Sequence, residues 1–218
     1  MHQLTIPEFF VLLSIDENTQ SIEAPVQSNI ETYTGIGIFL ELYIKKHIRI
    51  DNEFIIHRQN SVSPIPYLQT VLELTRDSDN NQDVNEWLIK INKYSRVLYD
   101  SVLSQLNRHQ KLKITERRIL GFTFQKKYQC FQNRKDMLDF LQKTAMTDKS
   151  SYLATVSLLY VMKCNGLLRK EVNECFIQLE EQDIYQLDLQ ELQRIIEEIQ
   201  KTILSLLIAK HQPFMGGM

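Results

Sequence analysis

The chain has 218 residues, 43% hydrophobic and 24% charged, with a formal net charge of −2. That profile excludes a disordered or fibrous chain and is enough to bury a core without disulfide or metal staples. No apolar run approaches the ~20 residues needed to cross a bilayer. No basic-then-apolar leader opens the chain, and the three cysteines, Cys130, Cys164 and Cys175, are widely spaced; a reducing, cytoplasmic compartment is expected.

Glycines (six) and prolines (five) are few, which favours long helices over a many-turned β fold. Thr5-Ile-Pro-Glu8 has the form of a capping box with proline in the first turn. The run Phe9–Ile15 behind it is apolar nearly all round, which predicts a buried helix. Residues 16–29 read as polar loop. A second helix is predicted over 30–46, with Ile36, Phe39, Leu40, Tyr43 and Ile44 at helical spacing. Ile48–Ile56 alternates around Asp51-Asn52, which predicts a β-hairpin with those two residues as the turn. The helix and hairpin together resemble half of a winged helix.

Farther on, helices are predicted over 67–74, 84–91 and 94–109, the last with Val97, Val102 and Leu106 in its buried stripe. Trp87, beside Leu88 and Ile91, reads as core. Phe122-Thr-Phe124 and Tyr128-Gln-Cys130 alternate, so 113–131 reads as a second hairpin, bracketed by Arg117-Arg118 and Lys126-Lys127. Asn133 caps a helix to Ala145; 151–165 forms a central apolar helix closed by Gly166. Helices over 171–179 and 189–209 complete a mainly α, compact single-domain bundle with a winged-helix-like segment and one or two β-hairpins. The domain is placed at 1–211, with 212–218 as a flexible tail.

Charge is unevenly spread. From Lys90 to Lys135 there are twelve Lys or Arg and two acids; from Glu171 to Glu198 there are nine acids and one base. Such blocks pair with each other, face solvent, or meet an outside partner.

Catalytic and metal patterns are missing. The five histidines are scattered without ligand spacing. There is no Cys-x-x-Cys, no Gly-x-Ser-x-Gly and no Walker loop, and Gly35-Ile-Gly37 lacks a third glycine. No enzyme, cofactor or metal is expected. The remaining constellation is the apolar hairpin inside the basic block. Arg96, Arg117, Arg118, Lys126 and Lys127 would hold an anionic lipid surface at about 1 kcal/mol each. Leu120, Phe122 and Phe124 would enter the acyl boundary. On a second reading the same apolar residues pack into the core or an oligomer interface, as in a soluble protein–protein scaffold. A winged-helix nucleic-acid binder is a third reading. Its wing balances Arg49 and Arg58 with Asp51 and Glu53, a poor phosphate-facing surface, so no nucleic acid is expected.

The opening Leu4-Thr-Ile-Pro-Glu8, the stretch Phe39-Leu-Glu-Leu42 through Ile50, Arg96 through Leu112-Lys-Ile-Thr-Glu116 to Leu120-Gly-Phe122, and Leu158-Leu-Tyr-Val-Met to Gly166-Leu-Leu occur in an order that resembles the Golgi phosphoprotein 3 family. The resemblance covers about residues 4–180. It implies a compact helical domain acting as a peripheral adaptor on the cytosolic membrane face. In the family's eukaryotic members it also implies binding to phosphatidylinositol 4-phosphate and to protein cargo. Of the four family pocket positions, one Arg falls on Arg96; the others fall on Val26, Gly35 and Tyr99, which cannot replace a guanidinium cluster. The domain begins near Met1, where eukaryotic members carry a long disordered arm, so a bacterial homologue is expected.

Overall fold

The computed structural model describes residues 4–51, 54–58, 60–76, 82–119, 122–167, 169–181 and 185–211; the expected tail at 212–218 lies outside them. The first helix, α1 (Ile6–Leu13), starts where its capping box dictates: the Glu8 carboxylate accepts the Thr5 N–H at 2.8 Å. The stretch read as polar loop holds a two-stranded ribbon, β1 (Ile15–Asp16) with β2 (Ser21–Ile22), and a one-turn helix, α2 (Ala24–Gln27). Elements this short carry no hydrophobic period for a sequence reading to find. There follow α3 (Ile30–Ile44), β3 (Ile48–Asp51), β4 (Phe54–His57), α4 (Pro66–Arg76), β5 (Gln82–Asp83), α5 (Val84–Lys93) and α6 (Ser95–Arg108). The chain then forms β6 (Leu112–Ile119), β7 (Phe122–Cys130), α7 (Arg134–Ala145), α8 (Lys149–Cys164), α9 (Lys170–Glu180) and α10 (Gln186–His211). The fold is mainly α, as the sequence predicts.

Helix α3 is the axis of the molecule. None of its residues is exposed, and α1, α6 and α8 pack around it. An all-round apolar surface forces this enclosure. Its internal hydroxyls are satisfied: Thr34 donates to the Ile30 carbonyl at 2.7 Å and Thr32 to Asn92 Oδ1 at 3.0 Å. Trp87 of α5 is fully buried with its ring edge-on to Phe39, centroids 5.2 Å apart. A helix so enclosed offers no exposed face of the kind a DNA recognition helix presents.

Two expectations need correction. The β3–β4 hairpin forms, but Asp51 pairs with Phe54 and Ile50 with Ile55, so the connection falls one residue later than Asp51-Asn52. This register sets Ile50 opposite Ile55, where the expected one would have set Ile50 opposite Glu53; a shift of two in pairing leaves every side chain on its face and gains an apolar cross-strand pair. Val97 is not in the buried stripe of α6; it is 64% exposed, and Leu98, Tyr99, Val102, Leu103 and Leu106 form the stripe. The buried arc of α6 is set by the 98/99, 102/103 and 106 spacing, and Val97 falls on its outer side.

The two glycines of α3 differ in what they permit. A Cβ on Gly37 would stand 3.0 Å from Pro7 Cα and 3.2 Å from Pro7 N, backbone atoms that cannot swing aside; one on Gly35 would meet only Ile91 Cγ2 at 3.7 Å. Gly37→Ala is therefore expected to destabilise by about 1–3 kcal/mol through overpacking. Gly35→Ala should be neutral or stabilise by about 0.5–1 kcal/mol through helix propensity. Urea unfolding of the two variants checks the contrast.

Candidate functional site

The basic hairpin is launched by the end of α6. Gln110 takes a left-handed conformation (φ 55), and the Lys111 N–H donates to the Leu106 carbonyl at 2.9 Å, a helix closure that turns the chain into β6. Strands β6 and β7 pair antiparallel from Leu112↔Cys130 to Ile119↔Phe122, with a bulge between Arg117 and Arg118. Alternation gives the ribbon two faces. At its base Leu112 and Tyr128 are buried and Ile114 packs on the core. Beyond Ile114 and Tyr128 the same face becomes charged, with Lys126 Nζ 3.6 Å from Glu116 Oε1. The opposite face, Lys113, Thr115, Arg117, Gln125, Lys127 and Gln129, is exposed along its length.

Three anchors hold the base. The Tyr128 N–H donates to the Gln20 carbonyl at 2.8 Å, joining β7 to the β1–β2 ribbon. The Tyr128 side chain lies beside Tyr99 of α6; burial, with the Tyr128 hydroxyl second, holds the Tyr99 phenol well above its ordinary range. The ribbon is in turn fixed by two arginines. Arg134 is buried and donates through Nη2 to the carbonyls of Leu13 at 3.0 Å and Ile15 at 2.9 Å, and to the Glu23 carboxylate. Arg169 reaches Asp16 and Glu23, each at 2.9 Å. So Arg134, counted in the basic block, is spent inside the molecule.

The sequence-predicted cations divide accordingly. Arg117 and Lys127 share the outer face, Lys126 pairs with Glu116, and Arg96 is exposed near the start of α6. Among the described residues Arg96, Lys113, Arg117 and Lys127 make no ion pair. Leu120 lies outside the described residues, as do the side chains of Arg118, Phe122 and Phe124. Of the other three positions singled out by the resemblance, Val26 and Tyr99 are buried and Gly35 sits inside α3. Sequence reading missed an apolar group beside Arg96, where Tyr94 is 40% and Val97 64% exposed. A valine on the outer side of an amphipathic helix signals this only once the inward stripe is known.

Among the described residues no helix is long and apolar enough to cross a membrane. The cysteines are all free, Cys175 buried, Cys130 half-buried and Cys164 exposed.

Asp16 provides the pH test of the anchoring. Its carboxylate accepts the N–H groups of Asn18 at 2.8 Å and Thr19 at 2.9 Å. The Thr19 backbone bond first, then Arg169, lowers its pKa from 3.8 to about 2. A depressed folded-state pKa contributes stability that is present above the unfolded value and lost as pH falls through the folded one. Stability should therefore drop between about pH 4 and about 2, and Asp16→Asn should flatten that part of the curve. Urea midpoints across the acid range measure it.

No family model matches the chain, and no curated protein matches it.

Proposed function

We propose that the protein docks peripherally on anionic lipid surfaces through the β6–β7 hairpin and the adjoining start of α6. The observation that carries this reading is a ribbon whose outer half bears exposed, unpaired cations and has left the core that supports its base. An isolated two-stranded hairpin is marginal in water, so the outer half is better explained by a surface that it meets than by its own stability. Arg117, Lys127 and Lys113 supply the attraction from one face. Arg96, with Tyr94 and Val97 beside it, supplies a second contact of mixed basic and apolar character. Leu120, Phe122 and Phe124, expected from the sequence as the apolar group of this hairpin, are the side chains to enter the acyl boundary.

The order of helix, hairpin and central helix supports membership of the Golgi phosphoprotein 3 family, and with it an adaptor role with protein cargo and no catalysis. Val26, Gly35 and Tyr99 have no reach to a headgroup, so recognition is of anionic charge in general, with phosphatidylinositol 4-phosphate as one such lipid.

A second reading rests on the same ribbon. Beyond Tyr128 the two strands pair only with each other among the described residues, and open edges accept another strand. Hairpin-to-hairpin pairing would give a homo-oligomeric scaffold.

Co-sedimentation with phosphatidylserine vesicles at low salt separates the readings. Arg117→Gln with Lys127→Gln should weaken binding about 30-fold, the equivalent of ~2 kcal/mol for two cations. Phe122→Ser with Phe124→Ser should weaken it further while the helical circular dichroism is kept. Binding unchanged in both variants, or absent from the wild type, would sink the lipid reading. A sedimentation mass above the monomer in lipid-free buffer, lost in the phenylalanine variant, would favour the scaffold.

A further inference from the structure

The C-terminus of α3, the β3–β4 hairpin and the N-terminal turns of α8 and α10 line an open cleft of about 1110 Å³. We infer that this cleft binds a small organic phosphate, held by Arg49, Arg58 and Lys46 over an apolar floor that includes Ile44, Ile56 and Leu192.

The pairing register places the two guanidinium groups. Arg49 stands opposite Ile56, and the Arg58 N–H donates to the His47 carbonyl at 3.0 Å, extending the ladder by one step. Arg58 is therefore the diagonal cross-strand neighbour of Arg49 on the face that lines the cleft. Like charges so placed repel each other unless something neutralises them. Within the cleft Asp188 is paired with Lys149 at 2.7 Å, while Glu191 accepts the neutral Tyr43 hydroxyl at 3.1 Å and keeps its charge on the α10 side. Among the described residues Lys46, Arg49 and Arg58 have no ion-pair partner.

Two further observations point the same way. Lys46 holds a left-handed backbone conformation (φ 59) at the end of α3, where glycine would carry no steric cost. His47 and His57 are both pushed below the ordinary imidazole range, by burial first and then by neighbouring cations, Arg58 and Lys45 for one and Arg76 and Lys90 for the other. The cleft itself is lined by Lys46, Arg49, Arg58 and Lys149 against Asp188 and Glu191, an excess of positive charge over a concave, partly apolar space, the setting that concentrates an anion. A phosphate takes two forked guanidinium groups at once, and the rest of the ligand would lie on the aliphatic floor.

Calorimetric titration with inorganic pyrophosphate, and separately with water-soluble dibutanoyl phosphatidic acid, tests the site and its source. One of the two is expected to bind saturably, the first indicating a soluble metabolite and the second a lipid headgroup. Arg49→Gln with Arg58→Gln, both exposed in the wild type, should weaken that binding by about a hundredfold, roughly tenfold for each lost charge-assisted bond. Lys143→Gln, on the surface of α7, should bind as wild type. No saturable binding of either probe at millimolar concentration would overturn the proposal, as would equal binding by the double variant. It would also be overturned if a single-stranded oligonucleotide bound in a way the double variant abolishes while both probes fail. Circular dichroism establishes that the variants are folded, and the hairpin cations are untouched, so the vesicle experiment stands or falls separately.

Discussion

Everything in this molecule is placed by the seating of α1's first turn on α3. Pro7 lies so close to Gly37 that no side chain fits between them, and one turn farther along α3 the buried Glu41 carboxylate accepts the Ile6 N–H at 2.9 Å. The first N–H groups of a helix lack intrahelical partners and carry a partial positive charge, so a carboxylate is a fitting acceptor there. Burial pushes the Glu41 carboxyl up, and the Ile6 N–H draws it back. Glu8 and Tyr67 close the same corner, Tyr67 with its hydroxyl 2.6 Å from Thr5 Oγ1. A capping box, a tight glycine and a buried acid thus fix one helix against another. The apolar packing of α6 and α8 on the remaining sides of α3 follows from having that axis settled.

Electrostatics then sorts the cations into two populations. Arg134 is enclosed among carbonyls and a carboxylate, an arrangement in which removing a partner leaves a buried charge exposed to its full desolvation cost. Arg169 bridges two acids at the edge of the same cluster. These arginines lock α1's end and the β1–β2 ribbon to α7 and α9, and through Gln20 they hold β7 in place. Cations without such partners lie on the outer hairpin, the start of α6 and the cleft wall. Net charge near zero conceals this division, because internal pairs and unpaired surface groups count alike in a sum.

The long elements were legible because their patterns are strong. Helix starts at Thr5, Asn133 and Gly166's closure were carried by residues whose physical role is local, and both hairpins were visible from alternation. What escaped was decided at longer range. The β1–β2 ribbon exists because Arg134 and Arg169 tie it down, not because its four strand residues prefer extended backbone. Val97 lost the core to Leu98 and Val102, a competition that depends on where α3 lies. The one-residue shift of the first hairpin turn keeps every side chain on its face and sets Ile50 opposite Ile55 instead of Glu53, a choice of partner that alternation alone does not make. The candidate interface was half legible: Arg117 and Lys127 were found with their hairpin, while Tyr94 and Val97 beside Arg96 were hidden in what reads as a buried stripe. The cleft could not be read at all, since its walls come from residues 43–58, 149–153 and 188–192.

A shared construction underlies both basic features. Helices α3 and α6 each end in the same closure, with a non-glycine residue in the left-handed region, Lys46 or Gln110. The next N–H then donates back to the helix, His47 to Leu42 and Lys111 to Leu106, each at 2.9 Å. Each closure feeds directly into an antiparallel hairpin whose base puts apolar residues toward the core and exposed cations on the opposite face. The two helices pack against each other, so the molecule contains two copies of one helix-and-hairpin device. Their difference is length and cover. The first hairpin has four-residue strands, is flanked by β5, and faces α8 and α10 across the cleft. The second has strands of eight and nine residues and outruns its support. The cations of the short hairpin, Arg49 and Arg58, are exposed beside a cleft that α8 and α10 close on its far side, whereas those of the long ribbon stand on strands that pair only with each other among the described residues. How far each ribbon extends beyond the core that anchors it is what separates two features built from the same local chemistry.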